Sequence, residues 1–350
     1  MKLIFDCRYT RLGRHDGISR YTAGLVEALS RLHPVTMLIS DERQLEMLPD
    51  LPWVMGTDPA SLREPWVARI VNRAQPDVVF SPMQTMGTSG RRYKVILTLH
   101  DLIYYNNPTP PRDLRWFIRL GWRLYHLAYW PQRLVLNRAD AIVTGTYAAK
   151  AQIEEHRLTN RPITVVSSAV DPAPALRSGD RDRTIVYMGS FMPYKNVESL
   201  ATALHELPGY RLQLLSRIGD ADRARYTALA PIGAIEFLNG VTDERYRELL
   251  SRATALATAS FEEGFGIPVV EALAMGTPVV CSDIPVFREV GGDGAAFFDP
   301  RDSSDIARVI RSLEDDRVWN ALSSKAPAQA AKFTWDRSAE RLLELTLSLS

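Results

Sequence analysis

The chain has 350 residues, long for one domain and comfortable for two of ordinary size. Its 42 Lys and Arg against 41 Asp and Glu leave a net charge of +1, which gives no global electrostatic reason to bind nucleic acid. Hydrophobic residues at 46% fit an ordinary soluble protein, and no uninterrupted apolar run approaches the length of a membrane span.

Cys7 and Cys281 leave one disulfide open, although so few cysteines suit a reducing compartment. The start, MKLIFD, runs directly into a strand pattern without a basic-then-apolar leader, so no secretion signal is expected. Lys2 to Asp6 reads as a buried strand, and Cys7 to Asp16 as a polar, basic loop. Asp16-Gly17 then leads into a segment whose Ile18, Tyr21, Leu25, Leu29 and Leu32 keep near-helical spacing. Strand, glycine-containing loop and helix open a nucleotide-binding type of α/β unit, but no G-x-G-x-x-G is present, which argues against a dinucleotide site. VTMLIS (35–40), DVVFS (77–81), VILTLH (95–100) and AIVTGT (141–146) are short β-branched runs, mostly separated by helical patterns. Such alternation means a parallel sheet with helices on both faces, and ligands bind beyond the carboxyl ends of its strands. His100 and Asp101 stand at one such end, where a histidine serves structure as readily as chemistry.

Within Arg112 to Arg138, RWFIRLGWRLYHLAYW (115–130) places Arg115, Arg119 and Arg123 on one helical face, with Trp116, Phe117, Trp122, Tyr125, Tyr129 and Trp130 interleaved. The pattern suits a helix lying on an anionic membrane surface, and equally a core-packed helix with a solvated arginine stripe. ITVVSSAVD (163–171) reads as a strand, and PAPALRSGDRDR (172–183) is proline-rich and charged, as linkers are. A second βα series follows: TIVYMGS (184–190), a helix from Val197, RLQLLS (211–216), IEFLNG (235–240), ALATAS (255–260), PVVCSD (278–283) and AAFFDP (295–300). The tail from Asp336 is a helix with leucines on one face.

The stretch Ser260–Val280 carries the most chemistry. Glu263 and Glu271 lie eight positions apart, with Gly264-Phe265-Gly266 and Ile267-Pro268 between them. Proline is tolerated in the first turn of a helix, so Val269 to Met275 reads as helix, ended by Gly276-Thr277-Pro278. Glu263 then sits in a flexible loop and Glu271 on the first turns of the helix. The helix start offers N–H groups to phosphate or ligand oxygens, and the glycines let backbone approach the ligand closely.

This pattern resembles the E-x7-E motif of the retaining glycosyltransferases of family 4, with both glutamates, the glycine-aromatic-glycine, the proline and the trailing GTPVV in register. DGISRYTAGLVEAL resembles the family's GGIGRY-type entry, with Asp16 at the first glycine and Gly17 retained. HDL matches the family's histidine near the donor sugar. ITVVSSAVD resembles its VIPNGVD, with Ser168 and Ala169 replacing Asn and Gly. GSFMPYKN resembles the diphosphate-binding segment, but the family's additional arginine falls at Ser190 or Tyr194. FTWDRSAERLL resembles the family's closing segment, so the likeness spans nearly the whole chain and is stronger in its second half.

The resemblance implies an α/β protein of two Rossmann-like domains facing a cleft (GT-B), with the C-terminal helix returning to the first domain. Residues 1–171 would form the acceptor-side domain, 172–335 the nucleotide-sugar-binding domain, and 336–350 the returning helix. It implies a retaining, metal-independent hexosyltransferase that moves a hexosyl group, mannose favoured, from a nucleotide diphosphate sugar to a hydroxyl of a glycan or glycolipid. GDP-mannose is favoured over a UDP-sugar on the HDL, KN and FTWDRSA-like segments, and no other cofactor is implied. Glu271 would hold the ribose, and Glu263 with Gly264, Phe265, Gly266 and Ile267 the donor sugar. His100 would sit over the reacting face, Lys195 would meet the diphosphate, and Gly17 and Ser190 would flank the donor. The leaving diphosphate would take the acceptor's proton.

Lys195 alone does not balance a diphosphate, so Arg217, just beyond RLQLLS, is expected to supply a second cation. No D-x-D pair is placed to hold a metal; Asp220 and Asp222 read as a helix cap. The expected setting is cytoplasmic, with peripheral contact to an anionic membrane through the 112–130 helix and no nucleic-acid partner. A GT-B epimerase, a phosphorylase using pyridoxal phosphate, and a non-catalytic nucleotide-binding scaffold remain alternatives. The departures at Ser190, Tyr194, Ser168 and Ala169 keep the scaffold open, and His100, Lys195, Glu263 and Glu271 argue against it.

Overall fold

β1, Leu3–Asp6, is buried at all four positions, as a strand covered on both faces must be. The computed structural model, which describes residues 1–110, 116–171, 177 and 181–350, builds a seven-stranded parallel sheet around it. Its further strands are β2 (Val35–Ile39), β3 (Trp53–Met55), β4 (Val78–Ser81), β5 (Lys94–Thr98), β6 (Ala141–Thr144) and β7 (Ile163–Val165), in the order β3-β2-β1-β4-β5-β6-β7. A second, six-stranded parallel sheet holds β8 (Asp182–Tyr187), β9 (Arg211–Leu214), β10 (Ile235–Phe237), β11 (Ala253–Thr258), β12 (Val279–Ser282) and β13 (Ala295–Phe298), in the order β10-β9-β8-β11-β12-β13. The strand order reverses direction between β1 and β4 in one sheet and between β8 and β11 in the other. Loops diverge at such points and leave a crevice at the carboxyl edge.

The chain divides into two compact units, Met1–Ala169 with Thr334–Ser350, and Val170–Phe333. Each has the Rossmann-like layering that the βα alternation predicts. The closing helix, Trp335–Leu349, belongs to the first unit and packs on the first helix, Gly17–Leu32. Gly24 makes that approach possible: a Cβ there would lie 2.3 Å from the Trp335 ring. Ser338 Oγ donates to the Ser167 carbonyl at 2.8 Å, Asp336 pairs with Arg31 at 2.7 Å, and Ala339 and Leu342 are buried in the core of the first sheet.

Three readings are corrected. β3 was not expected; it is a three-residue edge strand, largely exposed, with no β-branched run to mark it. The expected 112–130 helix is not continuous. Helices span Trp116–Tyr125 and Trp130–Leu136, and Pro131 stands in the first turn of the second, where its missing N–H does no harm but prevents a continuous helix. Residues 112–115, including Arg115, lie outside the described residues. Asp220 and Asp222 sit within the first turn of a helix whose cap residue is Gly219, and neither supplies a side-chain cap. The expected 172–183 linker lies largely outside the described residues, and Asp182 and Arg183 at its end already belong to β8. Both cysteines are free and buried. Among the described residues no helix is long and apolar enough to cross a membrane.

Gly24→Ala tests the seating of the closing helix. At an ordinary interior helix position this change stabilises by about 1 kcal/mol. Here the methyl meets the indole, so urea denaturation should give a net loss; a gain would show that Trp335 is not seated on Gly24.

Candidate functional site

The crevice of the second sheet lies between the loops that follow β8 and β11. In the first, Tyr187 Oη donates to the Ser190 carbonyl at 2.6 Å, and the Gly189 N–H donates to Ser216 Oγ at 3.2 Å. A short turn, Pro193–Lys195, then ends at Asn196, which has the left-handed values φ 51° and ψ 39°. Asparagine tolerates this conformation better than most residues. Its amide nitrogen donates to the Ala259 carbonyl at 3.2 Å and the Pro300 carbonyl at 2.7 Å, and its oxygen accepts from Ser199 Oγ at 2.8 Å. One buried side chain thus ties together the loops after β8, β11 and β13.

That tie fixes Lys195. Its ammonium lies 2.5 Å from Glu263 Oε1, and Ser260 Oγ donates to the same oxygen at 3.0 Å. The two charged side chains are only 15% and 12% exposed, so their attraction is less screened than that of a surface pair. The Phe261 N–H donates to the Tyr194 carbonyl at 2.8 Å, which closes the two loops on each other. Glu263 Oε2 makes no hydrogen bond among the described residues.

Gly266, at φ 92°, precedes the helix Ile267–Ala274 and offers no side-chain cap. A Cβ at Gly266 would stand 2.9 Å from the Phe287 ring, so both conformation and space demand glycine. Phe265 is buried edge-on against Phe333 at 5.4 Å. Glu271 is half-buried, one turn into the helix, and its Cβ leans back toward the helix start. Ser190 and Arg217 are exposed, and a Cβ on Gly240 would lie 3.2 Å from the Arg217 stem. Among the described residues Arg217 makes no ion pair, and it shares no hydrogen bond with Lys195 or Glu263.

Gly17 and His100 belong to the first unit. Gly17 is the first residue of its helix, and the Asp16 carboxylate caps that helix by accepting the Ser19 N–H at 2.9 Å while pairing with Arg11. The residue that departs from the family's glycine therefore does structural work as a cap. His100 Nε2 lies 2.8 Å from the Pro82 carbonyl, which only accepts, so this nitrogen carries the hydrogen. The Tyr21 ring meets His100 edge-on at 5.3 Å. Burial holds the His100 imidazole below the usual histidine range, against the opposing pull of the Pro82 carbonyl and Asp101.

One buried network lies outside the sequence reading. Arg8 binds Asp6 through Nε at 2.8 Å and Nη2 at 3.0 Å, and binds Glu64 through Nη1 at 2.6 Å and Nη2 at 3.0 Å. Ser81 Oγ donates to Asp6 and the Gly87 N–H to Glu64, each at 3.0 Å. Burial alone would lower the Arg8 pKa, but the two carboxylates hold it above its usual range. The network fixes the loops at the carboxyl edge of the first sheet. Its only sequence signal is an acid closing a strand with a base two residues on; Glu64 comes from far along the chain and shares no periodicity with them.

A cavity of about 580 Å³ opens along the β12–β13 edge beside Phe261, lined in part by Asp283, Asp299, Arg301 and Asp305. None of the expected site residues lines it, and Asp283 and Asp305 are already paired with Arg288 and Arg308. We therefore place the candidate site at Lys195 and Glu263. Among the described residues no group of three His, Cys, Asp or Glu side chains is placed to hold a metal ion.

Two Rossmann-like units of this kind are the parts of a GT-B protein, and comparison with known proteins makes the class a glycosyltransferase. Residues 15–174 match the model described as Glycosyltransferase Family 4, and residues 173–333 the model described as Glycosyl transferases group 1. The chain is 34% identical over 263 residues to O-antigen chain mannosyltransferase B of Escherichia coli, covering 70% of this chain and 68% of that one. It is 28% identical to O-antigen chain mannosyltransferase RfbU of Salmonella typhimurium, covering 52% of this chain and 53% of that one. The fold resembles sucrose-phosphate synthase from Thermosynechococcus elongatus at a TM-score of 0.78 and 17% identity, covering 100% and 99% of the two chains. The chain belongs to the family 4, group 1 glycosyltransferases.

Asn196→Ala removes the donor from two carbonyls and forces alanine into a left-handed turn. It should cost roughly 1–3 kcal/mol for the lost hydrogen bonds and about 1–2 kcal/mol for the backbone. Asn196→Gly should recover the backbone part, and equal denaturant midpoints for wild type and the alanine variant would show that the tie carries no stability.

His100, with its folded pKa below the unfolded value of about 6.5, stabilises fully above that pH. That contribution is lost as pH falls through the folded pKa, because the unfolded chain then binds more protons. The melting temperature should fall less steeply between about pH 8 and pH 5 in His100→Gln, which keeps a donor for Pro82 and does not titrate. Parallel profiles would contradict the shift.

Proposed function

We propose that the chain transfers a hexosyl group, mannose in the first place, from a nucleoside diphosphate sugar to a hydroxyl of a glycan or glycolipid, with retention of configuration and without a metal. The observation that carries this reading is the Lys195–Glu263 pair, drawn from loops on either side of the β8–β11 crevice. Without donor the two charges neutralise each other. An arriving diphosphate competes for Lys195 and leaves the Glu263 carboxylate to accept hydroxyls of the sugar. The uncapped start of the Ile267–Ala274 helix, with the backbone of Gly264 to Ile267, adds N–H groups beside it. Glu271 takes the ribose, Arg217 supplies a second cation, and Ser190 lies beside the phosphates. His100, its imidazole neutral at pH 7, and Gly17 are the first unit's candidate functional residues. The two relatives' names support mannose, and GDP-mannose is the donor favoured over a UDP-sugar. Charge stabilisation of the leaving diphosphate needs neither a protein nucleophile nor a metal. The setting we propose is cytoplasmic, with peripheral contact to an anionic membrane.

Titration calorimetry in EDTA tests the donor site. Lys195→Ala and Arg217→Ala should each weaken nucleoside diphosphate more than nucleoside, by roughly 1.5–3 kcal/mol for a charged hydrogen bond. Glu271→Ala should weaken both ligands by a similar amount. Equal, small losses for both ligands in the two cation variants would remove the diphosphate role. Binding that returns only when Mg²⁺ is added would remove the metal-free part.

A further inference from the structure

The Trp116–Tyr125 and Trp130–Leu136 helices carry a large apolar surface on the side away from their packing. Trp116 is 77% exposed, Leu120 53%, Leu124 60%, Trp130 62% and Leu134 55%, and Leu127, in the turn between the helices, 74%. On the first helix, positions 116, 120 and 124 fall within about 80° of arc. The opposite side is already occupied. Trp122 packs on Tyr104 at 4.9 Å, His126 stacks against Trp122 at 4.1 Å, and Tyr125 Oη donates to Gln132 at 2.6 Å. Arg119 and Arg123 lie between the two sides, along one edge of the exposed stripe.

The charge around this stripe selects its occupant. Between Trp116 and Ala139 there are four arginines, Arg119, Arg123, Arg133 and Arg138, and no Asp or Glu. A second copy packed stripe on stripe would bring these arginines toward one another without a carboxylate to relieve them. A bilayer with anionic headgroups offers both things the surface needs, an apolar interior for the Trp and Leu side chains and negative charge at the depth where arginine heads emerge. We infer that this surface inserts into the interface of an anionic phospholipid bilayer, the apolar stripe entering the acyl boundary and Arg119 and Arg123 meeting the headgroups. The inference rests on the peripheral-contact reading above and makes it specific: the contact is held by apolar insertion and only assisted by charge. It also narrows the acceptor to one presented at a lipid surface.

Vesicle sedimentation with the full chain tests this. Phosphatidylcholine vesicles containing phosphatidylglycerol should sediment the protein, and a substantial fraction should stay bound in about 1 M salt, where exposed charges are screened. Leu120→Gln with Leu124→Gln should weaken binding by about tenfold or more, because the buried apolar area is lost. Arg119→Gln with Arg123→Gln should lose binding at low salt but keep the salt-resistant remainder. Complete release by salt, together with wild-type binding by the leucine variant, would overturn insertion while leaving an electrostatic contact. Absence from every vesicle would overturn both. A dimer seen in sedimentation velocity and broken by the leucine substitutions, without vesicle binding, would assign the stripe to self-association, and retention on a polysaccharide column lost in the same variant would assign it to a soluble glycan; either result overturns the inference. Hydrolysis of the sugar nucleotide by the leucine variant reads the transferase proposal separately.

Discussion

The Asn196 amide holds three strand-end loops of the second unit in register. Its left-handed backbone turns the chain from the Pro193–Lys195 turn into the next helix, and its side chain reaches carbonyls at the ends of β11 and β13. Lys195 is its chain neighbour, Ser260 follows directly on Ala259, and Glu263 stands four residues beyond it. The ion pair is therefore held by a hydrogen-bond tie one residue away on one loop and four on the other. A buried charge pair contributes little to net stability once desolvation is counted. Here its geometry is set by the neutral amide beside it, so the partner exchange we propose for the pair would not loosen the loops.

The first unit reaches a similar end by a different means. Arg8, Asp6 and Glu64 place one cation between two carboxylates with almost no contact with solvent. Removing one partner of such a set leaves an uncompensated buried charge, so it behaves as a rigid joint between loops that the sequence separates by more than fifty residues. The second unit uses a neutral tie next to an ion pair, whereas the first uses charge itself as the fastener.

Much of the fold was legible because inner strands of a parallel sheet must be apolar on both faces. β1, β4, β6 and β12 are buried throughout and read directly as apolar runs. β3 was not legible because an exposed three-residue edge strand needs no such run. The break after Tyr125 was signalled by Pro131 just beyond it, but the aromatic spacing through Tyr125, Tyr129 and Trp130 spans the break and favoured one helix over 112–130. In the site, the glycine-proline punctuation around Gly266 exposed the loop-to-helix turn, since both residue types answer backbone demands that are local. The Arg8 network answers a demand that is global, two carboxylates from distant segments sharing one guanidinium, and no window of sequence contains it. Asp16 was read as a lost glycine. Its role as a cap depends on Ser19, three residues on, and is a matter of hydrogen bonding rather than of backbone freedom.

The Trp335 seat on Gly24 makes the first unit discontinuous: it begins at residue 1 and is completed by residues 334–350. During synthesis, the groove on the first helix stays bare until the entire second unit has left the ribosome. The second unit is continuous from 170 to 333 and can close as it emerges, because all of its strands lie in one stretch. Domains usually finish in the order in which they are made. In this chain the half that is translated first is the last to be sealed, and its unfinished face is apolar, so a ribosome stalled before residue 335 would hold out a surface suited to chaperone capture.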